Sequence, residues 1–232
     1  MDRGNIPVRE SIQFYKPEHI TIQEYARDCG LACLNTIGSR YDIKYEEKEL
    51  VDMARERGLL NKEGYLEVPS AVRAADYFFG LKNVIVLTKT PHEIQERLQN
   101  REIPDPRERK RLKQLLDDYF ALSPGNLYYD KNLGSKIEFL KEDLFGNKET
   151  VKKIFEYSKY PFICMSDSHY EVGLKITQKL SGITVETIEP VTGKKALNTN
   201  PYNISDILFF PKHNPNFEKR KNHLKEAGID IF

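Results

Sequence analysis

At 232 residues the chain is long enough for one substantial core, and 39% hydrophobic with 31% charged residues describe an ordinary globular protein rather than a disordered one. Thirty-six basic residues against thirty-five acidic ones leave a formal charge of +1, so nothing in the overall field points to a nucleic-acid partner or to an anionic membrane. No apolar run approaches the length of a bilayer, the start MDRGNIPVRESIQFY lacks the apolar centre of a secretory signal, and three cysteines, an odd number, fit free thiols in a reducing compartment, so a cytoplasmic protein is expected.

In chain order, an irregular opening runs to about Asp28, and Leu31, Ala32, Leu34 and Ile37 then follow at helical spacing. Asp28 suits an N-cap, which puts Cys29 in the first turn. A second helical pattern, KYEEKELVDMARERG, ends at Gly58, and a third, PSAVRAADYFFG, opens with Pro69 and closes with Gly80. The run NVIVL reads as a strand. Residues 88–159 then turn charged and helical, without strong strand signals. Leu112, Leu115, Leu116, Tyr119 and Phe120 mark one apolar face, PDPRERKRLK before it reads as a solvated loop rather than a binding patch, and KETVKKIFEY forms a further helix. No second full core is visible, so the stretch is read as a helical insertion within a single domain spanning 1–232.

The last third is strand-rich. PFICMS is a short apolar run, and in YEVGLKIT the residues Val172, Leu174 and Ile176 alternate with Glu171, Gly173 and Lys175 as in a half-buried strand. GITVETIEP returns as the second arm of a hairpin after a turn near Ser181 and Gly182, and Pro190 ends it. DILFFP adds a strand, and FEKRKNHLKEAG closes the chain as a helix. Helices first and antiparallel strands afterwards describe an α+β fold.

A thiol in a first helical turn feels the positive end of the dipole and nearby amides, which favour thiolate over thiol. Cys29 is therefore the candidate nucleophile, whereas Cys33 and Cys164 read as core residues. No His or Cys pair completes a four-coordinate metal site, no glycine-rich phosphate loop is present, and neither metal nor cofactor is expected. Of the five histidines, only His169 sits where a scaffold fixes its ring, at the start of a well-patterned strand. An acid must hold that imidazole, and Glu189, at the end of the next strand, competes with Asp167, two residues from His169.

These residues resemble the C39 peptidases, a branch of the papain-like cysteine proteinases. QEYARDCGLAC, residues 23–33, matches the family's opening motif, in which a glutamine six residues before the nucleophile contributes to the oxyanion hole. The resemblance thereby implies that role for Gln23 and the nucleophile's role for Cys29. His169-Tyr170-Glu171-Val172 matches the family's histidine strand, and EPVTG, residues 189–193, matches its Asp-Pro-x-x-Gly turn with Glu189 in place of the aspartate. GLLNKEGYLEVPSAVRAADYFFGLKN resembles the family's intervening helix. The likeness covers about residues 12–87 and 160–211. It implies a papain-like, C39-like fold, with an N-terminal helical part packed on an antiparallel sheet and residues 88–159 inserted.

The implied activity is a cysteine-dependent peptidase or amidase working through a Cys-His-acid triad and a thioester acyl-enzyme on a peptide or amide substrate. The Cys-Gly-Leu-Ala wording, shared with phytochelatin synthases, makes an acyltransferase or transpeptidase the alternative. A non-catalytic binding protein on the same scaffold is the reading from another class.

Overall fold

The computed structural model describes residues 9–10, 19–24, 27–100, 103–124, 133–166, 169–179, 182–198 and 201–217. Asp167, most of the expected C-terminal helix and most of the loop SPGNLYYDKNLG lie outside the described residues. The elements follow in the order β1 (Arg9–Glu10), α1 (Cys29–Gly38), α2 (Glu47–Glu56), α3 (Val68–Phe79), β2 (Leu81–Lys82), β3 (Ile85–Thr88), α4 (Thr90–Gln99), α5 (Pro106–Ala121), β4 (Lys136–Phe139), α6 (Lys148–Tyr157), β5 (Phe162–Ser166), β6 (His169–Lys179), β7 (Gly182–Ile188), β8 (Lys195–Asn198), β9 (Ile204–Phe209) and β10 (Lys212–His213). The fold is α+β, as the order of patterns implied.

The main sheet has the strand order β4-β3-β9-β5-β6-β7-β8, with β1 added on β6. It is mixed rather than antiparallel throughout, because β4 runs parallel to β3, with Ile85 opposite Lys136 and Thr88 opposite Phe139. The stretch 88–159 is therefore not purely helical. KIEF is too short and too charged to announce a strand, and its pairing with β3 makes it one. The expected solvated loop before Leu112 is also helix. Asp105 accepts from the Arg107 amide at 2.8 Å and Pro106 opens α5, so the basic residues fall on its first turns. There Arg111 pairs with Glu67 at 3.4 Å, and Glu108 pairs with Arg97 of α4 at 3.1 Å. A buried knot ties this stretch to the sheet, since Asp206 of β9 accepts from Thr90 at 2.9 Å, Ser205 at 2.7 Å and Tyr119 at 3.3 Å.

Alternation in the central strands splits the core into two layers. Val86, Ile163 and Leu208 face the cluster built on α1 and α3, while Leu87, Phe162, Cys164, Ile207 and Phe209 face the cluster around α6. Strand β6 departs from the simple pattern. Tyr170, Val172 and Leu174 face the first layer, but a bulge between Gly173 and Lys175 sends Ile176 to the second. One extra residue reverses the facing of all that follow it, which regular alternation in YEVGLKIT conceals.

Candidate active site

Helix α1 lies against β6, and two contacts bring its N-terminus to the start of that strand. Gly30 allows the close approach: a methyl group there would stand 3.0 Å from Leu66 Cδ2 and 3.1 Å from the Tyr170 ring. The Cys29 sulfur meets the backbone amide of Tyr170, the residue that follows His169. Before the helix, Arg27 takes a left-handed backbone conformation, φ 79°, that few non-glycine residues adopt. It is held by a hydrogen bond from its guanidinium to the Glu63 carbonyl at 2.6 Å and by stacking over Tyr65 at 5.1 Å.

The β6–β7 hairpin joins imidazole to carboxylate. Val172 pairs with Ile188, so the residues just beyond that pair on each arm face one another, and His169 Nε2 lies 3.3 Å from Glu189 Oε1. The turn EPVTG holds the carboxylate from behind, with the Val191 amide donating to Oε1 at 2.9 Å and the Thr192 amide to Oε2 at 2.8 Å. Gly193 closes the turn at φ 64°, and a methyl group there would meet Ile22 Cδ1 at 2.4 Å. Burial pushes the Glu189 carboxyl up, but the two amides and the charge of His169 outweigh it and hold the group below the ordinary carboxylate range. With Nε2 engaged by the carboxylate, Nδ1 is the ring nitrogen left to accept a proton.

Gln23 is tied to the same turn, its backbone amide donating to the Pro190 carbonyl at 2.9 Å, and its side chain faces the Asp28 carboxyl. The structure thus gathers all four candidates, Gln23, Cys29, His169 and Glu189, around the α1 N-terminus and the hairpin turn. Cys33 lies buried one helical turn beyond Cys29, and Cys164 sits in the opposite core layer.

Two expectations for the helix start are reversed. Asp28 makes no side-chain cap bond, because it turns inward and is only 2% exposed. Nor is the thiol acidified. Burial pushes the Cys29 thiol up from its ordinary value, and the Tyr170 and Gly30 amides aimed at the sulfur offset this only in part. A helix start acidifies a thiol that water can reach, whereas Cys29 is 5% exposed.

Sequence reasoning also missed Glu47. Its carboxylate, at the start of α2, accepts the Glu24 amide on both oxygens at 2.8 Å and abuts Asp28. Nothing local in KYEEKEL distinguishes it from its acidic neighbours; only the packing of α2 does.

The structure thus sets a thiol at a helix start near an imidazole at a strand start, with a carboxylate in the following turn, and comparison with known families bears on the class of the first of these segments. Residues 18–63 match the model described as the peptidase C39 family, and over this segment, which carries Gln23, Asp28, Cys29 and Glu47, the chain is C39-like. His169 and Glu189 lie beyond the matched residues. No curated protein matches the chain. No helix among the described residues is long and apolar enough to cross a membrane.

Proposed function

We propose that the protein is a cysteine peptidase or amidase in which Cys29 attacks an acyl carbonyl and forms a thioester. The supporting observation is the meeting of the Cys29 sulfur with the Tyr170 amide one residue from His169, whose ring is held by Glu189 at 3.3 Å. The resting thiol is neutral. His169 Nδ1 therefore takes the proton as sulfur attacks, and Glu189 steadies the imidazolium through Nε2. The Gln23 side-chain amide and a backbone amide near Cys29 bind the oxyanion, an effect of roughly 3 kcal/mol for one donor. Collapse breaks the bond to the leaving group, which takes the proton from His169. Water then releases the acid, or an amine or thiol acceptor completes a transfer instead.

The raised thiol favours one competing reading, a non-catalytic binding protein on the same scaffold. Acylation by p-nitrophenyl acetate separates them. Sulfur displaces p-nitrophenolate to give an acetyl thioester that mass spectrometry locates. The catalytic reading expects Cys29 to be acylated far faster than Cys33 and Cys164, and the advantage to vanish in His169→Ala. Equal rates at the three cysteines, or indifference to His169→Ala, would establish the binding reading.

A further inference from the structure

Asp28 and Glu47 are buried carboxyls that face one another, 2% and 7% exposed. Both Glu47 oxygens are occupied by the Glu24 amide at 2.8 Å, and neither Asp28 oxygen has a donor if both acids are ionised. The groups facing Asp28 are Glu47 from α2, the Cys29 thiol from α1, the Gln23 side chain and its own backbone amide. The nearby Arg27 guanidinium is directed instead to the Glu63 carbonyl and the Tyr65 ring. Two carboxylates in this setting cannot both carry charge, and one proton between them resolves the conflict. Held on Asp28, it donates to Glu47 and leaves the other Asp28 oxygen to accept from the Gln23 amide.

The pair meets consecutive residues, Glu47 holding the backbone of Glu24 and Asp28 facing the side chain of Gln23, while Pro190 holds the Gln23 backbone amide at 2.9 Å. We propose that Asp28 and Glu47 form a proton-sharing carboxyl pair that positions Gln23 beside Cys29, and that loss of the shared proton weakens the oxyanion site. The inference rests on the reading of Cys29 as an acyl-transfer nucleophile. Both are positioning residues, acting through Gln23. Burial first, and Glu47 second, push the Asp28 carboxyl up to about 8, so the device switches on the alkaline side of neutrality.

The test compares two reactions of the same sulfur. Acylation by p-nitrophenyl acetate builds an oxyanion, whereas alkylation by iodoacetamide does not, and in both the same sulfur sheds its proton to the same base. Their rate ratio at Cys29 cancels that shared proton loss and reports the oxyanion site. In the wild type the ratio should fall with a midpoint near pH 8, by on the order of a hundredfold if one donor is lost. In Asp28→Asn, whose amide keeps both bonds and has no proton to lose, the ratio should stay high and flat. In Glu47→Gln, which removes the neighbouring charge, the midpoint should move to lower pH. Asp28→Ala should hold the ratio low throughout; if that variant does not fold, Asp28→Asn alone carries the decision. An Asp28→Asn profile with the wild-type midpoint would overturn the pair while leaving Cys29 a nucleophile. A wild-type Cys29 that alkylates but never acylates would remove the catalytic reading, and the pair's role with it.

Discussion

Gly173→Ala is a sharp test of how β6 is built. A methyl group at Gly173 falls 1.9 Å from Phe162 Cε2, 2.2 Å from Cδ2 and 2.3 Å from Cζ, against about 3.5–4.0 Å for a relaxed carbon contact. The ring therefore has to move by well over an ångström. It has nowhere to go: Phe162 is 1% exposed, its centroid lies 5.6 Å from that of Phe209, and Phe209 lies 5.7 Å from Tyr157. Overpacking of this kind costs about 1–3 kcal/mol, while replacing glycine returns roughly 0.5–1 kcal/mol by restricting the unfolded chain. The net expectation is a loss of about 1 kcal/mol, read as a lowered urea midpoint at unchanged slope. With no tryptophan in the chain, far-ultraviolet circular dichroism is the probe. Phe162→Ala alone should cost about 3–5 kcal/mol. The double variant should cost little more, because the new methyl enters the space the ring has left. Simple additivity, or a Gly173→Ala protein as stable as wild type, would show that the methyl group and the Phe162 ring do not compete for one space.

Glu189→Ala should open the EPVTG turn and free the His169 ring, lowering Cys29 acylation by on the order of a hundredfold or more, with Glu189→Gln intermediate because it keeps one acceptor oxygen. Since the folded carboxyl titrates below its unfolded value of about 4.3, its stabilisation is present above that value and is lost as pH falls through the folded one. Chemical denaturation should accordingly show Glu189→Gln less stable than wild type at neutral pH and the gap closing as pH falls below the ordinary carboxylate range; a gap constant with pH contradicts the assignment. On the opposite face of the sheet, Asn147 caps α6 by accepting from the Glu149 and Thr150 amides at 2.9 and 3.3 Å. Asn147→Ala should lower stability by about 1 kcal/mol and leave the Cys29 acylation rate unchanged, so an effect on that rate would argue against separate core layers.

What was legible in the chain was whatever local punctuation encodes. Gly58, Gly80 and Pro190 mark ends that the structure keeps, and the paired arms of β6 and β7 follow from the hairpin pattern. The same locality located the thiol at a helix start, the imidazole at a strand start and the carboxylate in a turn. Features set by contact between distant segments were not legible. KIEF becomes a strand because β3 offers an edge, and Ile176 changes faces because of one bulged residue. Asp28 leaves its cap because Glu47 and Gln23 receive it elsewhere. The acidity of Cys29 belongs to this second kind, since the helix start is a property of the sequence but its distance from water is not.

The raised thiol bears directly on how a site of this kind would operate. A thiolate-imidazolium pair formed in advance would place two charges where Cys29 is 5% exposed, and such a pair is stable only with its hydrogen-bonding needs met. Here the amides of Tyr170 and Gly30 supply part of that need at the sulfur, and Glu189 supplies it at the imidazole. The balance leaves the proton on sulfur at rest. Under the proposed function an arriving carbonyl would change it, because negative charge would then develop not on sulfur but on the oxyanion, where Gln23 would offer a further donor. Reactivity should therefore depend more on the carbonyl than on the thiol. Iodoacetamide, which offers no oxyanion, should find Cys29 sluggish, while an acyl donor of modest intrinsic reactivity finds it competent.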